Sequence, residues 1–229
     1  MIELYFSATP NGWKASVMLE ECGLPYKINP IDIGKGDQFT PEYKNINPNS
    51  KIPAIVDTDV LDEQGQPIAL FESGAILLYL AQKTNKMMPN SALEQHKVVQ
   101  WLFWQVGGLG PMMGQHGHFK LYAPDQIDYA ITRYNREVHR LFGVLDNQLK
   151  HHDYVVGSHY SIADIACFPW IQLYRAQEID LSQYPQLLRW YTQLKARPAL
   201  RRGMSLGRDS FRKRPQDDPE ANKNLFGNE

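Results

Sequence analysis

Cysteine is scarce in this sequence. Only Cys22 and Cys167 occur among the 229 residues, far apart and without the spacing of metal ligands. Two isolated cysteines exclude a disulfide framework and a cysteine-rich zinc site, and the His116–His118 and His151–His152 pairs have no third ligand at a useful spacing. Such a composition is typical of a reducing compartment. We therefore expect a cytoplasmic protein that holds no metal.

The sequence also lacks an excess of charge and a long apolar run. Its 24 basic and 25 acidic side chains leave a formal net charge of -1, so nothing overall attracts nucleic acid or an anionic membrane. No apolar run approaches the roughly 20 residues that cross a bilayer, and the first residues lack the basic start of a signal peptide. With 43% hydrophobic residues, the chain can form a globular core, and its length favours two domains.

Strand and helix patterns alternate over residues 1–84. The apolar run Ile2–Phe6 predicts a strand, and the helical spacing that ends at Gly23 predicts a helix over residues 13–22. The further predicted elements are a strand at 26–31, at most one helical turn within 34–50, a hairpin of 52–56 and 68–71 through the turn 62–66, and a helix at 72–82. This order predicts an α+β domain of the thioredoxin-like type.

The character of the sequence changes after residue 84. Residues 92–203 contain only long amphipathic stretches, which predict an all-α second domain. The pattern Ser161-Ile162-Ala163-Asp164 predicts a capping box at a helix start. Residues 204–229 are charged and polar, and they predict a tail that is mobile or folds over its own domain or a partner.

The turn Thr9-Pro10-Asn11-Gly12 lies where the first strand meets the first helix. Backbone N–H groups at a helix N-terminus stabilise an anion by up to roughly 2 kcal/mol. The tetrapeptide resembles the Cys-Pro-x-Cys turn of glutaredoxins with both sulfurs replaced, so any thiol chemistry here needs a sulfur from a bound cofactor. By itself the tetrapeptide favours a simple helix cap formed by Thr9 and Asn11.

Two further segments carry side chains or backbone suited to a peptide-like ligand. Ile52-Pro53 precedes a predicted strand, where a cis-proline in the thioredoxin-like plan exposes the preceding backbone to an extended peptide. Glu72-Ser73 opens a helix, where the serine suits a carboxylate and the glutamate suits an ammonium. A trans proline at a strand start and a plain capping pair are the alternatives.

In this order, the three segments resemble the glutathione site of the cytosolic glutathione transferases. The segments are Thr-Pro-Asn-Gly, then Asn-Pro-Asn-Ser-Lys-Ile-Pro-Ala-Ile-Val, then Phe-Glu-Ser-Gly-Ala-Ile-Leu-Leu-Tyr-Leu. The capping box is similar to the structural capping motif of that superfamily. The resemblance implies a thioredoxin-like glutathione-binding domain followed by an all-α domain.

Three stretches narrow the resemblance to the bacterial Nu class, which is similar to the yeast nitrogen-regulating prion protein. These stretches are Thr9–Lys14, Gly34–Phe39 and Gln100–Pro111. The resemblance extends to about Pro198 and implies a homodimer that reduces small disulfides with glutathione and conjugates weakly. It assigns catalysis to Thr9 and Asn11. It assigns glutathione binding, in reduced or oxidised form as cosubstrate, to Gln38, Lys51, Ile52, Glu72, Ser73 and Arg133.

Other residues are weaker candidates. Lys14 and Arg136 are explained by a solvated helix face. Strand alternation predicts that Tyr5 is buried and structural, which leaves Ser7 as the alternative hydroxyl donor. Cys22 and Cys167 are interpreted as small core residues.

Gly107, Gly108, Gly110 and Pro111 interrupt a helical pattern. Relative to alanine in a helix interior, each glycine is unfavourable by roughly 1 kcal/mol and proline by about 3 kcal/mol. Local propensity therefore opposes a regular helix here. One hypothesis is a kink that forms the wall of a second-substrate pocket, with Trp104 and Met112 or Met113 nearby. Close helix packing at a dimer interface is the other.

The predicted function is glutathione-dependent reduction of small disulfides. Two alternatives stay open from sequence: a conventional transferase that conjugates glutathione to electrophiles, and a glutathione-binding regulatory protein without turnover. The absence of a well-placed tyrosine or serine argues against the first. The presence together of Thr9, Asn11, Lys51, Glu72 and Ser73 argues against the second.

Overall fold

The structure is a computed structural model that describes residues 1–207 and 218–227. The described residues form two compact units: Met1–Leu80 together with the described residues from Arg202 onward, and Ala81–Arg201. Within the described ranges, no helix combines the length and apolar character needed to cross a membrane.

The first unit is built on a four-stranded mixed sheet in the order β2-β1-β3-β4. The strands are β1 (Ile2–Phe6), β2 (Tyr26–Pro30), β3 (Ala54–Leu61) and β4 (Pro67–Phe71). β1 runs parallel to β2 and antiparallel to β3, and β3 and β4 form the predicted hairpin. Ile2, Leu4 and Phe6 point into the core, as the period of a half-buried strand requires.

Three helices belong to the strand-containing part of the chain: α1 (Pro10–Cys22), α2 (Pro41–Ile46) and α3 (Ser73–Thr84). Thr9 caps α1, and Gly23 ends it in the left-handed conformation at φ 68°. Thr40 caps α2 by accepting a hydrogen bond from the Tyr43 N–H. The six residues of α2 exceed the single helical turn that the sequence predicts between residues 34 and 50.

The register of the sheet brings several chain segments to one edge. Tyr5 near the end of β1 pairs with Ala54 at the start of β3, and Ala54 pairs with Phe71 at the end of β4. On the other side of β1, Phe6 pairs with Pro30 at the end of β2. The segments that follow β1, β2 and β4 therefore begin at this edge of the sheet. The segment that precedes β3 ends at the same edge.

The second unit is helical, and none of its described residues forms a strand. Its helices are α4 (Ala92–Trp104), α5 (Gly110–Gly117), α6 (Asp128–Leu149), α7 (Ile162–Ile171), α8 (Pro185–Lys195) and α9 (Pro198–Ser205), of which the last four residues join the first unit. The predicted capping box is confirmed at the start of α7: Asp164 accepts hydrogen bonds from the Ser161 N–H and from the Trp190 indole. Asp164 is fully buried, and desolvation raises the pKa of its carboxyl.

The glycine-rich stretch forms a π-helical turn at Gln105–Leu109 between α4 and α5. A Cβ on Gly110 would lie 2.8 Å from Gln105 Nε2 and 3.3 Å from the Trp170 ring, whereas nothing lies within 4 Å of Gly107. Close packing against α7 in the same unit thus accounts for Gly110. π-Helical turns commonly mark a local distortion of a helix.

The end of the described chain packs on the first unit. A Cβ on Gly203 would lie 2.6 Å from the backbone of Val17, so only glycine allows this approach to α1. The Trp13 indole donates to the Leu206 carbonyl at 3.1 Å. A last helix, α10 (Pro219–Phe226), donates from Asn224 Nδ2 to the Gly34 carbonyl at 2.7 Å. The described part of the predicted tail therefore packs on the strand-containing first unit, while residues 208–217 and 228–229 lie outside the described residues.

Candidate functional site

The turn after β1 carries the two predicted catalytic residues. Thr9 Oγ1 accepts a hydrogen bond from the Gly12 N–H at 3.2 Å, which leaves the hydroxyl proton available to an acceptor. Thr9 and Asn11 are both half-buried, and they lie at the N-terminus of α1, where the helix dipole favours an anion.

Gly12 explains why this turn holds no side chain at its fourth position. A Cβ there would clash with the Ser7 carbonyl oxygen and would lie 3.2 Å from the Phe6 ring. The position that a second cysteine takes in a Cys-Pro-x-Cys turn is therefore closed to every residue except glycine.

The segment before β3 presents backbone beside the turn. The Ile52–Pro53 peptide bond is cis, as the thioredoxin-like plan predicts. The Lys51 carbonyl accepts hydrogen bonds from the Tyr43 hydroxyl and from Asn47 Nδ2, both at 2.6 Å. Two donors on one carbonyl hold the backbone of Lys51 and Ile52 in place, whereas the Lys51 side chain is exposed.

The segment after β4 turns sharply into α3. Glu72 is exposed and has a positive φ of 67°, and its carbonyl accepts the first hydrogen bond of the helix from Ile76. The N–H groups of the first turn of α3, starting with Ser73, have no partner within the helix and suit a carboxylate. Ser73 is 7% exposed, and its Oγ accepts a hydrogen bond from Lys14 Nζ at 3.3 Å.

Lys14 corrects one sequence interpretation. The helical pattern predicts a solvated position for Lys14, but its side chain is only 1% exposed. A signal for this burial exists in the sequence, because Lys14 shares a helical stripe with Met18 and Cys22 at positions i, i+4 and i+8.

Gln38 follows β2 in a short 3₁₀ turn, Asp37–Phe39. Its side chain is 5% exposed, and Nε2 donates to the Ile33 carbonyl at 3.3 Å. Its Oε1 has no hydrogen-bond partner among the residues that the structure describes. Gln38 is therefore buried beside the site, with one acceptor that a ligand N–H could satisfy.

Arg133 lies in the second unit, on α6. It lines a groove together with Met112 of α5 and with other polar side chains of α6; they are Asp128, Tyr129, Thr132, Tyr134, Arg136, Glu137 and Arg140. Arg133 and Arg136 are exposed, and Arg140 forms a bidentate pair with Glu137. Met113, by contrast, is fully buried, so of the two predicted methionines only Met112 faces this groove.

Of the two hydroxyl alternatives, Tyr5 differs from the expectation of burial. Tyr5 is half-buried rather than buried, because it points away from the core side of β1, and its hydroxyl donates to Glu3 Oε2 at 3.3 Å. Desolvation, with the neighbouring Glu3 carboxylate, raises the pKa of Tyr5. A phenol bound to a carboxylate is a poor donor for a thiolate. Ser7 is half-buried, and its carbonyl accepts from the Thr9 N–H at 2.8 Å.

The interpretation of the two cysteines is confirmed. Cys22 is 4% exposed and Cys167 is 0% exposed, so both are core residues. Among the described residues, no cluster of three histidine, cysteine or acidic side chains could hold a metal ion.

The edge of the sheet in the first unit thus brings together the two predicted catalytic residues and several of the predicted glutathione-binding residues. Thr9 and Asn11 lie after β1, Ile52 lies before β3, and Ser73 lies after β4. The arrangement offers a hydroxyl and helix N–H groups at the N-terminus of α1 and the Ser73 hydroxyl with helix N–H groups at the N-terminus of α3. Sequence reasoning missed Tyr43 and Asn47, which hold the Lys51 carbonyl although they lie only eight and four residues before it.

Comparison with known proteins identifies the family. Residues 8–83 match the glutathione S-transferase N-terminal domain, and residues 110–198 match the glutathione S-transferase C-terminal domain. The chain is 52% identical over 199 residues to the disulfide-bond oxidoreductase YfcG of Escherichia coli, covering 87% of this chain and 92% of that protein. It is 41% identical to the disulfide-bond oxidoreductase YghU of the same organism, covering 90% of this chain and 75% of that protein.

Solved structures of glutathione transferases also match this chain. A glutathione transferase of Burkholderia graminis with two glutathione molecules bound per subunit is 42% identical, with a TM-score of 0.85 over 90% of this chain and 88% of that chain. A glutathione transferase of Pseudomonas putida with one glutathione disulfide bound per subunit is 40% identical, with a TM-score of 0.84 over 90% of this chain and 91% of that chain. The sheet, the helical second unit and these matches together show that this chain belongs to the glutathione S-transferase family.

Proposed function

We propose that this protein is a glutathione-dependent disulfide-bond reductase. The observation that carries the proposal is the convergence of the Thr9 turn, the Ile52 backbone and Ser73 at one edge of the sheet. Relatives named as disulfide-bond oxidoreductases, and related structures that bind two glutathiones or one glutathione disulfide, support it.

In the proposed site, an extended glutathione lies along the edge of the sheet. The Ile52 backbone pairs with the peptide, Glu72 and Ser73 bind the γ-glutamyl ammonium and carboxylate, and Lys51 and Gln38 lie toward the glycyl end. Arg133 of the helical unit is proposed as a further contact. The glutathione-binding role belongs to residues 1–84, while the helical domain of residues 92–203 supplies the second-substrate pocket.

Thr9 and Asn11 are proposed to stabilise the glutathione thiolate. A free cysteine thiol has a pKa near 8.5, so only about 3% is ionised at pH 7. Because Thr9 Oγ1 already accepts from Gly12, its O–H can donate to the sulfur. Lowering the thiol pKa by about two units requires roughly 2.7 kcal/mol, which a hydroxyl, an amide and a helix N-terminus can supply together.

The reaction proceeds by two thiol–disulfide exchanges. The bound thiolate attacks one sulfur of a small disulfide, so that a mixed disulfide with glutathione forms and the other half leaves as a thiolate that takes up a proton. A second glutathione thiolate then attacks the glutathione sulfur of the mixed disulfide. Glutathione disulfide forms and the second thiol is released, so two glutathiones are oxidised for each disulfide reduced.

The conventional transferase remains the second candidate for this site. Tyr5 argues against it, because its hydroxyl is bound to Glu3 and its pKa is raised. We further propose a cytoplasmic Nu-class homodimer. Phe103 and Tyr129, which are 67% and 76% exposed in the second unit, are candidate interface side chains.

The test is the reduction of 2-hydroxyethyl disulfide, coupled to glutathione reductase and NADPH, beside conjugation of 1-chloro-2,4-dinitrobenzene. We expect strong reduction with weak conjugation. Thr9→Ala and Asn11→Ala should each lower kcat/KM for reduction by about 10- to 100-fold. Thr192→Ala, on an exposed face of α8, is the control.

Three outcomes would contradict the proposal. Unchanged reduction in both single variants and in the double variant would end the roles of Thr9 and Asn11. Strong conjugation with little reduction would favour the conventional transferase and Ser7. A protein that gains thermal stability from millimolar glutathione disulfide but reduces no disulfide would favour the glutathione-binding regulatory protein.

A further inference from the structure

The two residues that follow α9 contact both sides of the Thr9 turn. Trp13 comes directly after the turn, and its indole Nε1 donates to the Leu206 carbonyl at 3.1 Å. Ala8 comes directly before the turn and is 4% exposed. A Cβ added to Gly207 would lie 2.9 Å from the Cβ of Ala8, so the Gly207 backbone lies against Ala8. The pair of residues 206 and 207, called the C-terminal segment below, therefore touches the chain on either side of the turn.

Gly207 is required for this close approach. It adopts the left-handed conformation at φ 67°, which disfavours any residue with a Cβ. A Cβ would also lie 3.0 Å from the Phe6 ring, in addition to its contact with Ala8. Backbone conformation and close packing thus both select glycine at the point where the C-terminal segment reaches the turn.

The hydrogen bonds described within the turn are local. The Thr9 N–H donates to the Ser7 carbonyl, and the Gly12 N–H donates to Thr9 Oγ1. These bonds set the shape of the turn, but they join residues only two or three positions apart. The bond between Trp13 and Leu206 joins residues 193 positions apart. It therefore fixes the turn against a distant part of the chain, which the local bonds cannot do.

The position of the turn matters because the proposed site uses directed donors. A hydroxyl, an amide and helix N–H groups stabilise a thiolate only at hydrogen-bond distance and with favourable angles. A misplacement of about 1 Å, caused by a residue that never touches the substrate, can lower an enzymatic rate by about 100-fold. Contacts that fix the turn from behind can therefore affect the thiolate without touching the ligand.

We propose that Trp13 is a positioning residue whose bond to the Leu206 carbonyl, together with the contact of Gly207 with Ala8, holds the donors of the Thr9 turn in place for the glutathione sulfur. The inference rests on the proposed glutathione site. It adds a dependence of the reaction on the C-terminal segment, which lies outside the set of ligand-binding residues. It predicts that the thiol pKa of bound glutathione rises when these contacts are lost.

The experiment measures the thiol pKa of bound glutathione from the ultraviolet absorbance of the thiolate as the pH is varied. It also measures kcat/KM for the reduction of 2-hydroxyethyl disulfide. Trp13→Phe keeps an aromatic ring but loses the N–H donor, and we expect it to raise the thiol pKa by about 0.5 to 1 unit and to lower kcat/KM by about 3- to 10-fold. Gly207→Ala should act in the same direction, because its Cβ would push on Ala8.

Each variant has a matched control on α1 or at its end. Ser16→Ala removes the bond from Ser16 Oγ to the Gly203 carbonyl at 2.9 Å, which joins α1 to α9 farther from the turn. Gly23→Ala places alanine at a φ of 68°, where nothing lies within 4 Å of the new Cβ. Both controls should lower the melting temperature and leave the thiol pKa and kcat/KM unchanged.

The outcomes separate this inference from the proposed function. A thiol pKa that is lowered in wild-type protein and stays lowered in Trp13→Phe and Gly207→Ala would overturn this inference alone. An equal rise in the two controls would also overturn it, since general docking of α9 would then be responsible. If neither variant folded, the contacts would serve only the fold and the inference would be wrong. Wild-type protein that leaves the thiol pKa of bound glutathione at its free value would refute the proposed roles of Thr9 and Asn11 themselves.

Discussion

At the scale of single residues, close approach decides which side chains the candidate site can contain. The turn Thr9–Gly12 is compact because Thr9 Oγ1 bonds to the Gly12 N–H while the Thr9 N–H bonds to the Ser7 carbonyl. The same compactness leaves no room for a Cβ at position 12. Thiol chemistry at this turn therefore depends on a ligand sulfur placed beside Thr9 and Asn11.

Gly12→Ala tests this close approach. The new Cβ would clash with the Ser7 carbonyl oxygen, which is backbone and cannot move without shifting the turn. We expect a loss of roughly 2 kcal/mol or more in the free energy of unfolding, together with loss of glutathione binding. Chemical denaturation and a glutathione titration measure both effects.

Gly143→Ala is the matched control, because a Cβ on this helical glycine of α6 would meet nothing within 4 Å. It should be neutral or stabilising by up to about 1 kcal/mol. If Gly12→Ala behaved like Gly143→Ala, the described geometry of the turn would be wrong.

At the scale of elements, the glycines between α4 and α5 have different structural roles. Gly110 lies against Gln105 and Trp170, while Gly107 has open space around it. Helix packing within the second unit thus explains Gly110 without reference to a substrate. The pocket hypothesis for this stretch is supported only at Met112, which lines the groove with Arg133.

The pair Gly110→Ala and Gly107→Ala separates packing from propensity. Gly110→Ala should lower the melting temperature, because the new Cβ would push on Gln105 Nε2 and on the Trp170 ring. Gly107→Ala should leave it unchanged or raise it, since alanine favours helix by up to about 1 kcal/mol. Thermal unfolding of both variants checks this, and equal destabilisation would contradict the packing explanation.

The second element-scale feature is α10, which covers the loop before Gln38. Asn224 donates to the Gly34 carbonyl, and a Cβ on Gly36, which has a φ of 82°, would lie 3.3 Å from Asn224 Oδ1. Both contacts hold the loop that leads into the 3₁₀ turn of Gln38. We expect truncation after Gly207 to increase hydrogen exchange in residues 32–39 by about 10-fold or more, as local opening becomes easier.

Asn224→Ala should reproduce part of that increase, because it removes the bond to the Gly34 carbonyl while leaving the helix in place. Lys223→Ala, at an exposed position on the same helix, is the control and should leave the exchange unchanged. Unaltered protection of residues 32–39 in the truncated protein would show that α10 does not hold this loop in solution.

At the scale of the whole molecule, a buried histidine couples stability to pH. His116 is 0% exposed, and its Nδ1 donates to Gln177 Oε1 at 2.8 Å; this tautomer follows because Gln177 Nε2 itself donates to the Met113 carbonyl. Its Nε2 has no partner among the described residues. Burial lowers the pKa of His116, which the Gln177 hydrogen bond opposes, while the positive charges of Lys120 and His139 act in the same direction as burial.

The sign of the pH effect follows from that direction. Below about pH 6.5 the unfolded chain binds a proton at His116 that the folded protein resists, so the free energy of unfolding falls as the pH falls. Between pH 7.5 and 5.5, we expect the free energy of unfolding to fall less in His116→Leu than in wild-type protein. The difference should be up to about 1.4 kcal/mol for each unit by which the pKa of His116 differs between the folded and unfolded states. Denaturant titrations at both pH values measure this.

His151→Leu, at an exposed position, is the control for the remaining histidines and should keep the wild-type dependence on pH. If His116→Leu and wild-type protein lost the same free energy on acidification, His116 would not be the group responsible.

Local patterns in the sequence were sufficient for much of the fold. The strand Ile2–Phe6, the hairpin of β3 and β4 and the capping box of Ser161 and Asp164 depend on neighbouring residues, and all are present. The order of the Thr9, Ile52 and Ser73 segments likewise needs no coordinates. Alternation, turn chemistry and caps act within a few residues, which is why a single sequence reveals them.

Tertiary structure alone decided the features that depend on distant partners. The burial of Lys14 beneath Ser73, the approach of Gly110 to Trp170 and the docking of α10 on the Gly34 loop each bring together residues far apart in the chain. Because lysine side chains are mostly exposed in folded proteins, the sequence alone predicts an exposed Lys14. Only the packing of α1 against the rest of its unit buries it. The sequence thus determined which chemistry is present, and the fold determined which charges and hydroxyls act together, because long-range packing sets their distances.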